Sequence, residues 1–138
     1  MKDQDKRLEV SLLLLRMSVF LVMFMWTIDK FINPGHAAKV YESFYYIAGL
    51  ESAVMYVIGA LEIILLLLFL AGYKKKYTYA AVLLFHAVST LSSFKQYLAP
   101  FDGPNLLFFA AWPMLAACFA LFLLRDGDTL LSMNQANR

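Results

Sequence analysis

Four long stretches of this 138-residue chain are almost free of charged residues, and this feature limits what the chain can fold into. The hydrocarbon core of a bilayer, about 30 Å thick, requires roughly 20 helical residues. We predict membrane spans at 9–31, 52–73, 77–97 and 105–124. In lipid a helix satisfies its own backbone hydrogen bonds, and the alternation typical of barrel strands is absent. The sequence therefore predicts an all-α membrane protein, a four-transmembrane-helix bundle forming a single domain over 1–138.

The basic residues between the predicted spans predict the orientation of the chain. One side of the membrane would carry Lys2, Lys6, Arg7, Lys74, Lys75, Lys76, Arg125 and Arg138, and the other Lys30, Lys39 and Lys95. Connections that are rich in lysine and arginine stay in the cytoplasm. We therefore expect both termini to be cytoplasmic.

The connection between the first two predicted spans is the only long one. Its apolar residues recur at helical spacing, at Ala37, Val40, Tyr41, Phe44 and Tyr45. This pattern predicts a short amphipathic helix on the periplasmic side of the membrane, and an ordered loop with aromatic anchors is the alternative. The tail after Arg125 is short and polar, and we expect it to fray.

Three ionisable side chains lie within the predicted spans, where an unpaired charge is expensive. At 1.5 Å per residue, Arg16, Glu62 and His86 fall in one layer of the membrane. We predict an ion pair between Arg16 and Glu62, with His86 bridging them or bonding to either. The layer is a candidate ligand site, and the alternative is that the pair only fixes the register of the helices.

The third predicted span also carries a polar stripe on one helical face. Its members are His86, Ser89, Thr90, Ser93 and Gln96 or Tyr97. Such a stripe is typical of a polar cavity or a proton path, although hydroxyls bonded to carbonyls one turn back give the same pattern. Trp112 is predicted to form an aromatic wall beside His86, with core packing as the alternative. Its neighbour Pro113 is expected to kink the fourth span.

A second polar layer is predicted near the outer surface, where Lys30 and Asp29 end the first span and Lys95 ends the third. Snorkelling of long side chains to the headgroups is the alternative explanation. The single cysteine, Cys118, excludes an internal disulfide. No metal-ligand spacing, nucleophilic triad, phosphate loop or nucleic-acid pattern occurs in the sequence.

Several of these positions resemble the pattern of the DoxX-like family of bacterial membrane proteins. Arg16 lies early in the first span and Lys30 at its end, and Gly59-x-x-Glu62 lies in a second span that closes at Gly72. The resemblance covers most of 8–124.

The resemblance implies a four-helix protein of the bacterial inner membrane, and some members are associated with quinone-linked oxidation or redox complexes. It carries Arg16, Lys30, Glu62 and His86 over as candidate site residues. No intrinsic cofactor is expected, and a quinone is the candidate ligand.

Three functions fit these observations. The first is a redox-associated subunit with an intramembrane polar pocket for a quinone-like or lipid-like ligand, which would not be an enzyme by itself. The second is a non-catalytic assembly or interaction factor, and the third is a small transporter or proton pathway. The expected partners are the lipid bilayer, a membrane or redox partner protein and a second copy of the chain.

Overall fold

The helices follow the apolar stretches of the sequence. The structure is a computed structural model that describes residues 2–133. The α-helices are α1 (Lys2–Ile32), α2 (Pro34–Tyr45), α3 (Ser52–Leu70), α4 (Lys75–Ser92), α5 (Phe94–Leu98) and α6 (Ala111–Leu123), and a 3₁₀ segment (Asn105–Ala110) precedes α6. All regular structure within 2–133 is therefore helical, as the sequence predicts.

Three helical stretches are long and apolar enough to cross a membrane. They are Asp3–Ile32, Ser52–Leu70 and Asn105–Leu123. The predicted third span, 77–97, is covered by α4 and α5, which are separated at Ser93. The hydroxyls, His86 and the basic start of α4 make this region more polar than the other three. The fold therefore indicates a membrane protein.

The bundle consists of two closely packed helix pairs. α1 packs most extensively along α3, and α4 packs along α6, whereas contacts between the two pairs are fewer. α1 and α4 begin at the same end of the bundle, where α3 and α6 finish. We call it the terminal end, and we call the opposite end, where α2 lies, the α2 end.

The packed core lies toward the terminal end. Its fully buried members come from all four long helices and are Leu12, Val19, Leu66, Phe69, Tyr79, Val82, Cys118 and Leu121. The rings of Phe69 and Tyr79 meet edge to face, with centroids 4.9 Å apart. Because α1, α3, α4 and α6 all contribute to this cluster, it joins the two helix pairs.

α2 covers the opposite end of the bundle. Pro34 starts the helix, where its missing N–H is not needed, and Tyr46 ends it in a left-handed conformation with φ 58°. Ala37 is buried, and the ring of Phe44 stacks on Phe108 of the 3₁₀ segment at 5.7 Å. α2 packs against α1 and α3, so it is part of the helical bundle.

The chain after α6, residues 124–133, folds back onto the terminal end. We call it the C-terminal segment. Within it Asp128 is fully buried, and the Met133 N–H donates to the carbonyl of Ala71 at 2.8 Å. The prediction that the tail frays is wrong for this segment, and 134–138 lie outside the described residues. The sequence of the C-terminal segment did not show that it packs on the bundle, because an aspartate that becomes buried cannot be told from an exposed one by sequence.

A glycine makes room for the C-terminal segment. Gly72 has φ +62°, and a Cβ atom there would lie 2.5 Å from Ser132 Oγ and 2.8 Å from Arg16 Nη1. Both distances are shorter than nonbonded atoms tolerate. Gly72 therefore serves both the turn between α3 and α4 and the close approach of the C-terminal segment.

Replacing Gly72 should loosen this end of the protein. We expect Gly72→Ala to lower the free energy of unfolding in detergent by about 1–3 kcal/mol, through both strain and displacement of Ser132. Gly49→Ala is the matched control, because Gly49 has φ +75° but open space around its Cβ position. Equal melting temperatures for the two variants would show that the segment does not press on Gly72.

Candidate functional site

Arg16 organises the polar contacts at the terminal end. It is fully buried, and its Nη1 lies 3.3 Å from Asp128 Oδ2 and 3.3 Å from the hydroxyl of Tyr79. Its Nη2 donates to the carbonyl of Leu130 at 2.5 Å. The Tyr79 hydroxyl donates to Asp128 at 2.6 Å, and Lys75 Nζ donates to the carbonyl of Asp128. The C-terminal segment is thus held on α1 and α4.

The predicted ion pair between Arg16 and Glu62 is wrong, because each residue pairs elsewhere. The reason lies in the direction of the helices. Side chains on a helix lean toward its N-terminus. α1 starts at the terminal end, so Arg16 leans toward that end and reaches Asp128. α3 runs the other way, so Glu62 leans toward the α2 end.

Glu62 pairs with Lys30 instead. The Lys30 ammonium lies 2.9 Å from Glu62 Oε2, and Thr27 Oγ1 lies 3.0 Å from the same oxygen. Tyr41 of α2 donates its hydroxyl to Glu62 Oε1 at 3.4 Å. Burial, and then the nearby Glu62 carboxylate, raise the pKa of Tyr41 well above its ordinary value, so the phenol remains a donor. The carboxylate thus has donors from α1 and α2.

Gly59 allows this pair to form. It is buried one turn before Glu62 on α3, and a Cβ atom there would lie 2.6 Å from the ring of Phe31. The bare backbone therefore lets the last turn of α1 approach α3 closely, which brings Lys30 within reach of Glu62.

His86 joins α4 to α6. Its Nε2 lies 3.1 Å from the carbonyl of Ala111 and 3.3 Å from Thr90 Oγ1. The hydroxyls of the polar stripe of α4 fall into two groups, those that bond to a backbone carbonyl one turn back and those that do not. Thr90 and Ser93 donate their hydroxyls to the carbonyls of His86 and Ser89, at 2.8 and 3.2 Å. Among the described residues, the hydroxyl of Ser89 has no hydrogen-bond partner.

A large cavity lies between the two helix pairs, beneath α2. Its volume is about 930 Å³, and most of its lining is aliphatic or aromatic. Apart from aromatic residues, its polar lining side chains are Ser18, Thr27, Lys30, Glu62, His86, Ser89 and Ser93. Toward the terminal end the cavity stops at Leu15, Val19 and Leu66.

The cavity is open on more than one side. Phe85 and Val88 of α4 and Leu107 of the 3₁₀ segment line it and are exposed, and α1 contributes a further exposed stripe. Ser18, Val22 and Trp26 follow one another at intervals of four residues, line the cavity and are exposed. The cavity is therefore accessible from the side of the bundle.

The structure does not bring all the predicted site residues together in the cavity. Glu62, His86, Ser89 and Lys30 line the cavity, whereas Arg16 belongs to the terminal end and Thr90 is buried behind His86. Trp112 lies outside the cavity. Its side chain is 44% exposed, and its ring packs 5.5 Å from that of Tyr97.

The other two residues of the predicted outer layer do not join Lys30. Asp29 accepts from the ring of His36 at 2.6 Å and from Asn33 at 3.2 Å, and its carboxylate does not reach the cavity. The ammonium of Lys95 lies 5.3 Å from the ring centre of Tyr46. Among the described residues, no group of three or more His, Cys, Asp or Glu side chains could hold a metal ion.

Sequence reasoning missed Asp128, Tyr79 and the contribution of Tyr41. Pro113 is found in the first turn of α6, directly after the 3₁₀ segment, so the change of helix type occurs where a kink was expected. Trp26, and not Trp112, is the tryptophan at the cavity.

Fold and site together define an all-helical protein with membrane-length apolar helices, a laterally open cavity, one fully buried ion pair and one partly buried ion pair. Comparison of the chain with protein-family models, curated proteins and solved structures returns no match.

The contact between Arg16 and Asp128 should dominate the stability of the terminal end. We expect Asp128→Asn to cost about 3–5 kcal/mol of unfolding free energy, because it leaves a buried guanidinium without its counter-charge. Asp126→Asn, an exposed change in the same segment, should be nearly neutral. Unfolding in mixed micelles measures both, and equal stabilities would mean that the buried pair is not formed.

Proposed function

We propose that the chain is a four-span protein of the bacterial inner membrane, similar to the DoxX-like family, with cytoplasmic termini and a periplasmic α2. The 18 residues of α4 rise about 27 Å, and α5 extends this length, so the region can cross a bilayer. Lys6, Arg7, Lys74, Lys75, Lys76 and Arg125 gather at the terminal end, whereas Lys30, Lys39 and Lys95 belong to the α2 end. This division supports a cytoplasmic terminal end.

Cysteine labelling tests whether α4 crosses the membrane. In a Cys118→Ala background, we expect Asp102→Cys to react with an impermeant maleimide in spheroplasts. Lys76→Cys and Asp126→Cys should react only after permeabilisation, because they lie at the terminal end. Labelling of Lys76→Cys and Asp102→Cys from the same side would show that α4 and α5 do not cross the membrane.

We further propose that the protein binds an uncharged amphiphile, quinone-like or lipid-like, in the cavity beneath α2. The cavity itself carries this proposal. Its volume falls in the range of small-molecule sites, and its lining is mostly apolar with a few polar groups. A quinone has a polar ring and an apolar tail, so it needs a cavity of this composition with an opening toward lipid.

The charges in the cavity support an uncharged ligand. Lys30 and Glu62 neutralise each other at 2.9 Å, and the carboxylate has further contacts with Thr27 and Tyr41. A charged ligand would have to disrupt this pair or remain unpaired itself, and either is costly in an apolar setting.

The blind end of the cavity favours binding over transport. Between its terminal end and the cytoplasmic surface lie the packed core and then the contacts of Arg16 with Asp128. The association with a redox complex comes from the DoxX-like resemblance, and the electron-transfer chemistry would belong to a partner. The alternative is a non-catalytic assembly factor, which would retain a protein partner and carry no amphiphile.

Filling the cavity from the side of α1 should prevent binding. We expect native mass spectrometry of the protein in mild detergent to find a small amphiphile on the wild type. Ser18→Trp should lose the ligand, because Ser18 lines the cavity and an indole there would occupy space that the ligand needs. Leu21→Trp is the control, since Leu21 is 59% exposed and does not line the cavity.

An amphiphile retained equally by both variants would place the ligand elsewhere. A wild-type protein that carries no amphiphile but retains a protein partner would favour the assembly factor.

A further inference from the structure

The hydroxyl of Ser18, on the α1 side of the cavity, has no hydrogen-bond partner among the described residues. Two polar atoms on the α4 side of the cavity also have none. They are the Nδ1 atom of His86 and the hydroxyl of Ser89. Both side chains line the cavity and are half-buried, and neither atom is among the fully buried polar atoms that lack a partner, so both atoms are accessible. Lys30 and Glu62, in contrast, already satisfy each other.

The neighbours of His86 determine which nitrogen carries the proton. Nε2 faces the carbonyl of Ala111 at 3.1 Å, and a carbonyl oxygen only accepts. Thr90 uses its one proton on the His86 carbonyl at 2.8 Å, so its oxygen also accepts from Nε2. We assign the proton to Nε2 on these two contacts.

The ring is neutral in this assignment. Among the described residues, no carboxylate lies within hydrogen-bond distance of either ring nitrogen. A charged imidazole would therefore be uncompensated in a largely apolar cavity. In the neutral ring Nδ1 is an acceptor with a free lone pair.

His86 and Ser89 form a pair on α4. Residues three apart lie on the same helical face, with Cβ atoms about 5–6 Å apart. One supplies an acceptor, and the other supplies a hydroxyl that both donates and accepts. A headgroup between them can donate to Nδ1 and accept from Ser89.

We propose that His86 and Ser89 form the headgroup subsite of the cavity and select a hydroxyl-bearing, uncharged amphiphile. The proposal rests on the function proposed above and specifies its ligand. Of the two redox forms of a quinone-like molecule, only the quinol has an O–H to donate to Nδ1. The carbonyl of the quinone would face the lone pair of Nδ1, where neither group can donate.

Parallel titrations test the preference. The probes are a decyl-substituted benzoquinone and its hydroquinone, kept anaerobic, added to the purified protein in nanodiscs. A Trp112→Phe background leaves Trp26, at the cavity, as the fluorescent reporter. We expect the quinol to bind about tenfold more tightly, the worth of one additional hydrogen bond.

Two substitutions at His86 test whether the preference for the quinol depends on the hydrogen-bond acceptor of the side chain or on its shape. His86→Gln keeps a donor for the Ala111 carbonyl and an acceptor for the cavity, so it should retain most of the preference. His86→Phe fills similar space without an acceptor, so the ratio of the two affinities should fall to about one, because the quinol loses its additional hydrogen bond.

Ser89→Ala is the internal control. Its hydroxyl can donate to either form, so its loss should weaken both and leave their ratio unchanged. A ratio is also insensitive to the fraction of a variant that folds.

These titrations distinguish failure of the proposed subsite from failure of the proposed function. Equal binding of quinol and quinone by the wild type, or a ratio unchanged in His86→Phe, would overturn the subsite and leave the cavity as the binding site. Absence of binding by either form would overturn both the subsite and the proposed function.

Discussion

A charge within an apolar bundle must meet its counter-charge, and the two ends of this protein are built on that constraint. At the terminal end Arg16 meets Asp128, and at the α2 end Lys30 meets Glu62. Both basic residues belong to α1, the longest helix, so α1 fixes the C-terminal segment at one end and α3 at the other. Separating either pair would leave a buried charge, which is far more costly than the loss of an exposed ion pair. The two contacts therefore hold α1 at both ends.

The position of the cavity follows from which helices these contacts join. Lys30 with Glu62 ties α1 to α3, and His86 with the Ala111 carbonyl ties α4 to α6, so both lie within a helix pair. The bond of Arg16 to Tyr79 ties α1 to α4 across the two pairs, at the terminal end. The pairs are thus joined by polar contacts and by a packed core where the chain begins. They separate toward α2, and the space between them is the cavity.

The sequence predicted the helical class and most of the charged residues that matter, because apolar length and isolated charges are local features. It did not predict the partners. Depth along the helix axis placed Arg16 beside Glu62, but antiparallel helices direct their side chains toward opposite ends, and this direction separates the two residues. The same rule applied to Lys30 would have found Glu62. Asp128 carries no comparable signal, since its burial depends on a return of the chain that only the folded bundle creates.

The same geometry accounts for a cavity that is open on the side and closed at one end. An aromatic contact, Phe44 on Phe108, brings α2 against the 3₁₀ segment of the opposite pair, and Tyr41 brings it against Glu62. α2 therefore spans the gap between the pairs at the end that lacks a core. The core closes the cavity at one end and α2 covers it at the other, so its openings lie at the sides, between exposed residues of α1 and of α4. In the proposed complex, the long tail of the ligand would contact the apolar lining and its small polar head would contact the accessible polar atoms of α4.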